Sequence, residues 1–259
     1  MDNVVLETVG PENLAVRGIG CLANTKSEGF RQKTAWLEER FEEGLRMLMA
    51  RDGAGETLGF LEFVPGEYAW RPVEAQGWLF VHCLWVFSRG QRVGGIGCRL
   101  IQRCVEEARQ AQAIGVVAMV SDGSWMVGKS VYLKCGFTQI AEADRFQLVA
   151  FRLSDGPEPK FRPLGSRYVD EPGLQIVYSA QCPLLSKSVH DLAEVADECG
   201  LGLKITEMKT AREAQDAPTY YGVFTLLWNG RVLSDHYVSK TRFRSILIKE
   251  GLVGGTNTA

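Results

Sequence analysis

Only three histidines occur in the 259 residues, none close to another, and the seven cysteines form no CxxC pair. A metal centre needs clustered imidazole and thiolate ligands, so none is expected. Cys21, Cys83, Cys98, Cys104, Cys135, Cys182 and Cys199 are odd in number and scattered. That disfavours a disulfide framework and fits a reducing, cytoplasmic setting. No run of eighteen apolar residues is present, which argues against a spanning helix. The start, Met1-Asp2-Asn3-Val4, lacks the basic and apolar segments of a signal peptide. Charge of one sign is missing too: a formal net charge of −2 gives no general pull toward nucleic acid or an anionic membrane. What is present, 46% hydrophobic and 23% charged residues, describes a globular chain with room for one large domain or two ordinary ones.

Proline is also scarce, and four of the nine fall within residues 154–173, which have no periodicity. Neither a helix nor a central strand can run through them. This stretch is expected to link an N-terminal domain, 1–153, to a smaller one, 174–259. In the first, strands are expected over 4–9, 45–50, 57–64, 78–86, 116–121 and 146–153. Helices are expected over 11–21, 29–44, 96–113 and 128–134. The strand over 78–86 is almost wholly apolar, as a central strand covered on both faces would be. Ile96, Leu100, Ile101, Cys104, Val105 and Ala108 recur at helical spacing and form the buried stripe of the third helix. The second domain should run strand 174–178, helix 185–199, strand 203–208, helix 211–215, strands 222–228 and 231–234 around Asn229-Gly230, and helix 239–249. The mixed order suggests α/β or α+β layers with a partly antiparallel sheet.

Between the apolar strand and the third helix lies Arg92-Val93-Gly94-Gly95-Ile96-Gly97. A glycine-rich turn at a helix N-terminus presents backbone N–H groups and the positive dipole end to a phosphate, although such a turn also serves purely structural ends. Downstream follows Tyr132-Leu133-Lys134-Cys135-Gly136-Phe137. Together, Arg92-x-x-Gly95-x-Gly97, helix, strand and Tyr132-x-x-x-Gly136-Phe137 resemble the GNAT superfamily of acetyl-CoA-dependent acyltransferases over roughly residues 1–153. The C-terminal portion resembles the YoaP-like domain. Its Val177-Tyr178-Ser179, Cys182-Pro183, Ala217-Pro218 and Asn229-Gly230 also look like a degenerate thioredoxin-like fold. The expected architecture is a GNAT-like mixed sheet flanked by helices, followed by a smaller thioredoxin-like α/β domain.

The resemblance implies acetyl-CoA as cofactor, with coenzyme A as product, and an N-acetyltransferase acting on a small-molecule amine by direct attack in a ternary complex. Arg92, Val93, Gly94, Gly95, Ile96 and Gly97 would hold the pyrophosphate. The pantetheine arm would pair with Leu84, Trp85 and Val86 where the family's fourth and fifth strands splay, and the Leu84 N–H would polarise the thioester carbonyl. Tyr132 would protonate the departing thiolate, unless it only packs beside Phe137. The base is His82 or Glu62, or water. His82 has an ordinary pKa of roughly 6.5 that suits the task, or is a hydrogen-bonded core histidine. Glu62, alone among apolar neighbours, either has a raised pKa or points to solvent. Tyr68, Trp70 and Arg71 border the acceptor, the aromatics by stacking and Arg71 by gripping a carboxylate, or they form an ordinary connector. Ser121-Asp122-Gly123 stands where the family often has asparagine.

Two other readings remain open at this point: a non-catalytic acyl-CoA-binding regulator, and a thiol-dependent module using Cys182 for glutathione or soft-metal handling. Cys182 opens a helix whose dipole would favour thiolate, but it has no resolving partner, so packing is the plainer role. Ala217-Pro218 resembles the thioredoxin-fold cis-proline. The strand over 146–153 is apolar enough to pair between subunits of a homodimer.

Overall fold

The computed structural model describes residues 4–87 and 94–254. Strands β1 (Val5–Val9), β2 (Arg46–Arg51), β3 (Thr57–Pro65), β5 (Leu79–Val86), β6 (Gly115–Val120), β7 (Thr138–Ala143) and β8 (Phe146–Arg152) form one sheet in the order β1-β2-β3-β5-β6-β8-β7. All neighbours are antiparallel except β5 and β6, which need a crossover and receive it from α3 (Ile96–Gln110). The buried residues of α3 are the six read from its periodicity, and they pack with Tyr132 of α4 (Lys129–Leu133) on one face of the sheet. The opposite face is covered by α2 (Glu28–Glu42), whose N-cap Ser27 accepts a hydrogen bond from the Phe30 N–H at 3.3 Å.

The second module supplies further cover on that face. Strands β10 (Leu174–Tyr178), β11 (Leu203–Glu207), β12 (Phe224–Trp228) and β13 (Arg231–Ser234) form a mixed sheet ordered β11-β10-β12-β13, in which only β10 and β11 are parallel. Helices α5 (Pro183–Glu198), α6 (Ala211–Gln215) and α7 (Lys240–Lys249) intervene as the sequence suggested. A single buried cluster joins the two modules, with Phe60, Trp70 and Phe146 in the same core as Tyr221, Val223 and Phe224. The proline-rich stretch between them carries β9 (Lys160–Phe161), which pairs with β4 (Val73–Glu74) as a two-residue ribbon.

Several expectations are corrected. The helix over 11–21 is only one turn, α1 (Leu14–Arg17), because glycines at 18 and 20 stop it. Strand β7 was missed: its sequence, Thr-Gln-Ile-Ala-Glu-Ala, is an edge strand with little apolar signal. Because β7 covers it, β8 is hydrogen-bonded on both sides and has no free edge for a second subunit. Cys98 and Cys135 are joined by a disulfide. Packing of α4 on α3 brings together thiols 37 residues apart, a pairing their spacing did not signal. The described peptide bonds are all trans, including Ala217–Pro218. No helix among the described residues is long and apolar enough to cross a membrane.

Candidate active site

Strand β5 controls the site through two irregularities. Its parallel pairing with β6 covers only Leu79, Phe80 and Val81 and stops at Val81/Ala118, although both strands continue. On its other side, the register with β3 shifts between Glu62 and Phe63, leaving His82 as an extra residue. Such a bulge re-aims side chains. Val81 and Leu84 belong to the α3 side of the sheet, whereas the His82 ring and the Cys83 side chain pack toward α2 and the second module.

The backbone of β5 is equally constrained. The Phe87 N–H donates to the Leu58 carbonyl at 2.9 Å, and Trp85 and Leu84 stand opposite Phe60 and Leu61. Alternation along an antiparallel ladder therefore turns the Trp85 N–H toward β3 and the Leu84 and Val86 N–H groups toward β6. On that side the ladder has already ended. A cavity of about 440 Å³ occupies the opening. It is lined by Leu84 and Tyr132 from one face and by Phe60, Glu62, His82 and Arg71 from the other, so it passes through the sheet.

At the other end of the opening, Gly95 caps α3 with φ of +86°, a conformation that favours glycine. The first helical bond is Arg99 N–H to the Gly95 carbonyl, no side chain caps the helix, and its first turn holds no acidic residue. The preceding N–H groups are therefore available, as at other helix N-termini that bind phosphate. A Cβ built on Gly94 or Gly95 would meet no atom of the described residues within 4 Å. These features fit a pyrophosphate. Arg92 and Val93 lie outside the described residues. Trp85 is half exposed, and Ser121 Oγ accepts from the Gly123 N–H and from Arg145.

The proton-handling groups are all buried. The Tyr132 hydroxyl has no hydrogen-bond partner among the described residues, and burial pushes its pKa up, so it remains a neutral phenol. Glu62 is held by Lys33 of α2, whose Nζ lies 2.8 Å from Oε1 and 2.9 Å from Oε2. Lys33 also sits 4.2 Å from the centre of the Trp36 ring. Nothing in the pattern of α2 singled Lys33 out from the other charged residues of that helix. His82 Nε2 accepts the Trp70 N–H at 2.9 Å, while buried Nδ1 has no partner. Burial, and then the charges of Arg71 and Lys33, push the His82 pKa well below its usual value. Its neutral tautomer carries the proton on Nδ1, and the basic nitrogen is already used.

The loop between β3 and β5 divides its aromatics. Tyr68 is 44% exposed and does not line the cavity, whereas Trp70 is fully buried against Trp36 and Arg40. Neither is placed to stack on a ligand there. Arg71 does line the cavity, together with Gln181, Cys182 and Tyr221 of the second module, which sequence reading could not connect to it. Cys182 is the N-cap of α5, but burial raises its pKa and outweighs the N–H groups of Leu184 and Leu185, so the expected thiolate is not favoured. Cys21 and Cys83 line the same cavity; burial pushes the Cys21 thiol up to about 12, and that of Cys83 well up too. No group of His, Cys, Asp and Glu suited to a metal exists among the described residues.

The chain is similar to several known proteins. Over 244 residues the chain is 28% identical to the uncharacterised N-acetyltransferase YoaP of Bacillus subtilis, covering 91% of this chain and 95% of that one. It is 31% identical over 112 residues to an L-methionine sulfoximine/L-methionine sulfone acetyltransferase of Pseudomonas paraeruginosa, covering 43% of this chain and 62% of that one. Among solved structures, a GNAT-family acetyltransferase from Brucella melitensis in complex with acetyl-CoA is 21% identical with a TM-score of 0.39, over 63% of this chain and 97% of that one. Along most of its length the chain is thus similar to a curated N-acetyltransferase. More particularly, residues 203–244 match the YoaP-like family, which places a YoaP-like domain near the C-terminus.

Proposed function

We propose that the protein is an acetyl-CoA-dependent N-acetyltransferase that acetylates a small-molecule amine by direct attack within a ternary complex. The observation carrying this reading is the cavity through the sheet, which joins Leu84 and Tyr132 to Glu62 and Arg71. A thioester entering from the α3 side and an amine entering from the opposite face would meet in the gap between β5 and β6. The homology with acetyltransferases supports the donor, and the small-molecule acceptor named for the Pseudomonas relative supports an acceptor of similar size.

Acetyl-CoA supplies the activated acetyl group, and this chain supplies position and proton transfer. N–H groups of the Gly94–Gly97 turn would neutralise the pyrophosphate. The Leu84 N–H, directed into the gap, would donate to the thioester carbonyl oxygen and favour the negative charge that builds there. Glu62 would receive the amine proton, with Lys33 holding its carboxylate in place. His82 would act as a positioning residue, fixing the backbone of Trp70 and with it Arg71. Tyr132 would give its proton to the departing thiolate, since a buried phenol donates readily only as sulfur becomes basic.

Calorimetry with acetyl-CoA, followed by coenzyme A release across an amine panel, tests the proposal. Tyr132→Phe should lower kcat by about 100-fold or more while leaving acetyl-CoA affinity within a factor of two or so. Absence of acetyl-CoA binding would overturn the reading. Equal loss of affinity and turnover in the Tyr132 variant would remove the acid role.

A further inference from the structure

Three cations are buried among the described residues: Lys33, Arg40 and Arg71. Lys33 is paired with Glu62, and Arg40 with Glu39 and Glu43. Arg71 has no carboxylate partner among the described residues, although only 5% of it is exposed. Burying an uncompensated guanidinium is costly, and chains retain such a charge where a ligand completes the pair. Its surroundings hold it in a fixed orientation. Arg71 Nη1 donates to the Trp70 carbonyl at 2.7 Å and to Gln181 Oε1 at 2.8 Å. Nε and Nη2 are left without partners among the described residues, on a side chain that lines the cavity.

The second module builds the other half of this corner. Tyr221, a buried residue, lies with its ring centre 5.6 Å from the Arg71 guanidinium carbon, and its hydroxyl also lacks a partner among the described residues. Burial pushes the Tyr221 pKa up, which keeps the hydroxyl a donor. Gly222, at φ of +72°, lets this turn approach closely: a Cβ there would stand 3.1 Å from Arg71 Cδ and 3.2 Å from the Trp70 carbonyl oxygen. Donors thus converge from two modules, both acceptors on the Arg71 side being already taken by Nη1. Elsewhere the cavity wall is apolar, with Met119, Met126, Val127, Leu184 and Val223. Glu62 supplies the single carboxylate on the lining among the described residues.

We infer that the acceptor is an amino acid with a free carboxylate, which Arg71 and the Tyr221 hydroxyl bind while its amine faces Glu62, and that Gln181 positions Arg71. This rests on the acetyltransferase reading and assigns part of the acceptor site to the YoaP-like module. A planar guanidinium with its Nε/Nη2 edge open matches a carboxylate and has nothing to offer a simple alkylamine. The apolar wall suits an aliphatic side chain.

The test uses the full chain with acetyl-CoA and the standard L-amino acids, each beside its α-amide and its decarboxylated amine; L-leucine, L-leucinamide and 3-methylbutylamine are one such set. The best acid should exceed its amide and amine in kcat/KM by at least about 100-fold, because losing it leaves buried donors unpaired. Tyr221→Phe and Gln181→Leu should each raise the acceptor KM about tenfold, with kcat and the acetyl-CoA KM nearly unchanged. Arg71→Met should abolish the preference for the acid. Should that variant not fold, wild-type and Tyr221→Phe calorimetry with the same three ligands in the presence of coenzyme A still decides. Amides or amines used as well as acids would overturn the carboxylate subsite and leave acetyl transfer standing. Acids bound selectively but never acetylated would support the subsite and overturn the transfer reading. Neither binding nor turnover of any acid would overturn the inference.

Discussion

Removing one member of the Lys33–Glu62 pair should harm the protein more than removing both. The two side chains are 1% and 2% exposed, and both carboxylate oxygens lie within 3 Å of the ammonium nitrogen, at 2.8 and 2.9 Å. Lys33→Met leaves a carboxylate facing an apolar wall, and Glu62→Leu leaves an ammonium over the Trp36 ring. An uncompensated buried charge costs about 3–5 kcal/mol, which for a chain of this size lowers Tm by roughly 6–20 °C. Replacing both by apolar residues removes the desolvation penalty together with the attraction. Lys33→Met/Glu62→Leu should therefore unfold within about 1 kcal/mol of the wild type. The assay is urea unfolding followed by tryptophan fluorescence and circular dichroism on all four proteins, closed as a double-mutant cycle. If the double variant loses as much as the two single variants added together, the pair is not an isolated buried ion pair and the reasoning fails. The same double variant separates folding from chemistry: it should stay folded yet turn over at least about 100-fold more slowly if Glu62 takes the amine proton.

His82 makes stability depend on pH. Its folded pKa is depressed and the unfolded one is ordinary, so its contribution is full above about pH 6.5 and is lost as pH falls further, when the unfolded chain gains a proton that the folded one refuses. His82→Gln can still accept the Trp70 N–H without titrating; the Tm of wild type should drop more steeply between pH 6.5 and 5, and parallel curves would contradict this. Cys21, Cys83 and Cys182 should resist iodoacetamide in the native protein at pH 7.5 and react once it is unfolded, as read by mass spectrometry. Prompt labelling of Cys182 would revive a thiol-based role. The Cys98–Cys135 bridge closes a span of 37 residues, so chain entropy assigns it about 3–4 kcal/mol. Cys98→Ser/Cys135→Ser should show a corresponding fall in urea midpoint, and an unchanged midpoint would mean the thiols stay reduced in solution.

Local pattern alone determined much of this protein. The 3.6-residue period of Ile96 to Ala108 gave the start and the buried face of α3, though the helix ends at Gln110 rather than 113, and Asn229-Gly230 marked the β12–β13 hairpin, because these depend on neighbours a few residues away. The glycine turn that opens α3 was likewise legible, since it is made of contiguous backbone. Polar β7 was not legible, because pairing at a sheet edge needs few apolar residues. Nor were the partners of the site. Lys33 meets Glu62, Arg71 meets Gln181 and Tyr221, and Cys98 meets Cys135 across separations that no periodicity spans. The bulge at His82 and the early end of the β5–β6 ladder are products of sheet register, and they decide which side chains face the cavity. The strand, the turn and Tyr132 could be read in one dimension; which charges were left unpaired in the opening between them was decided by the docking of the second module on the first.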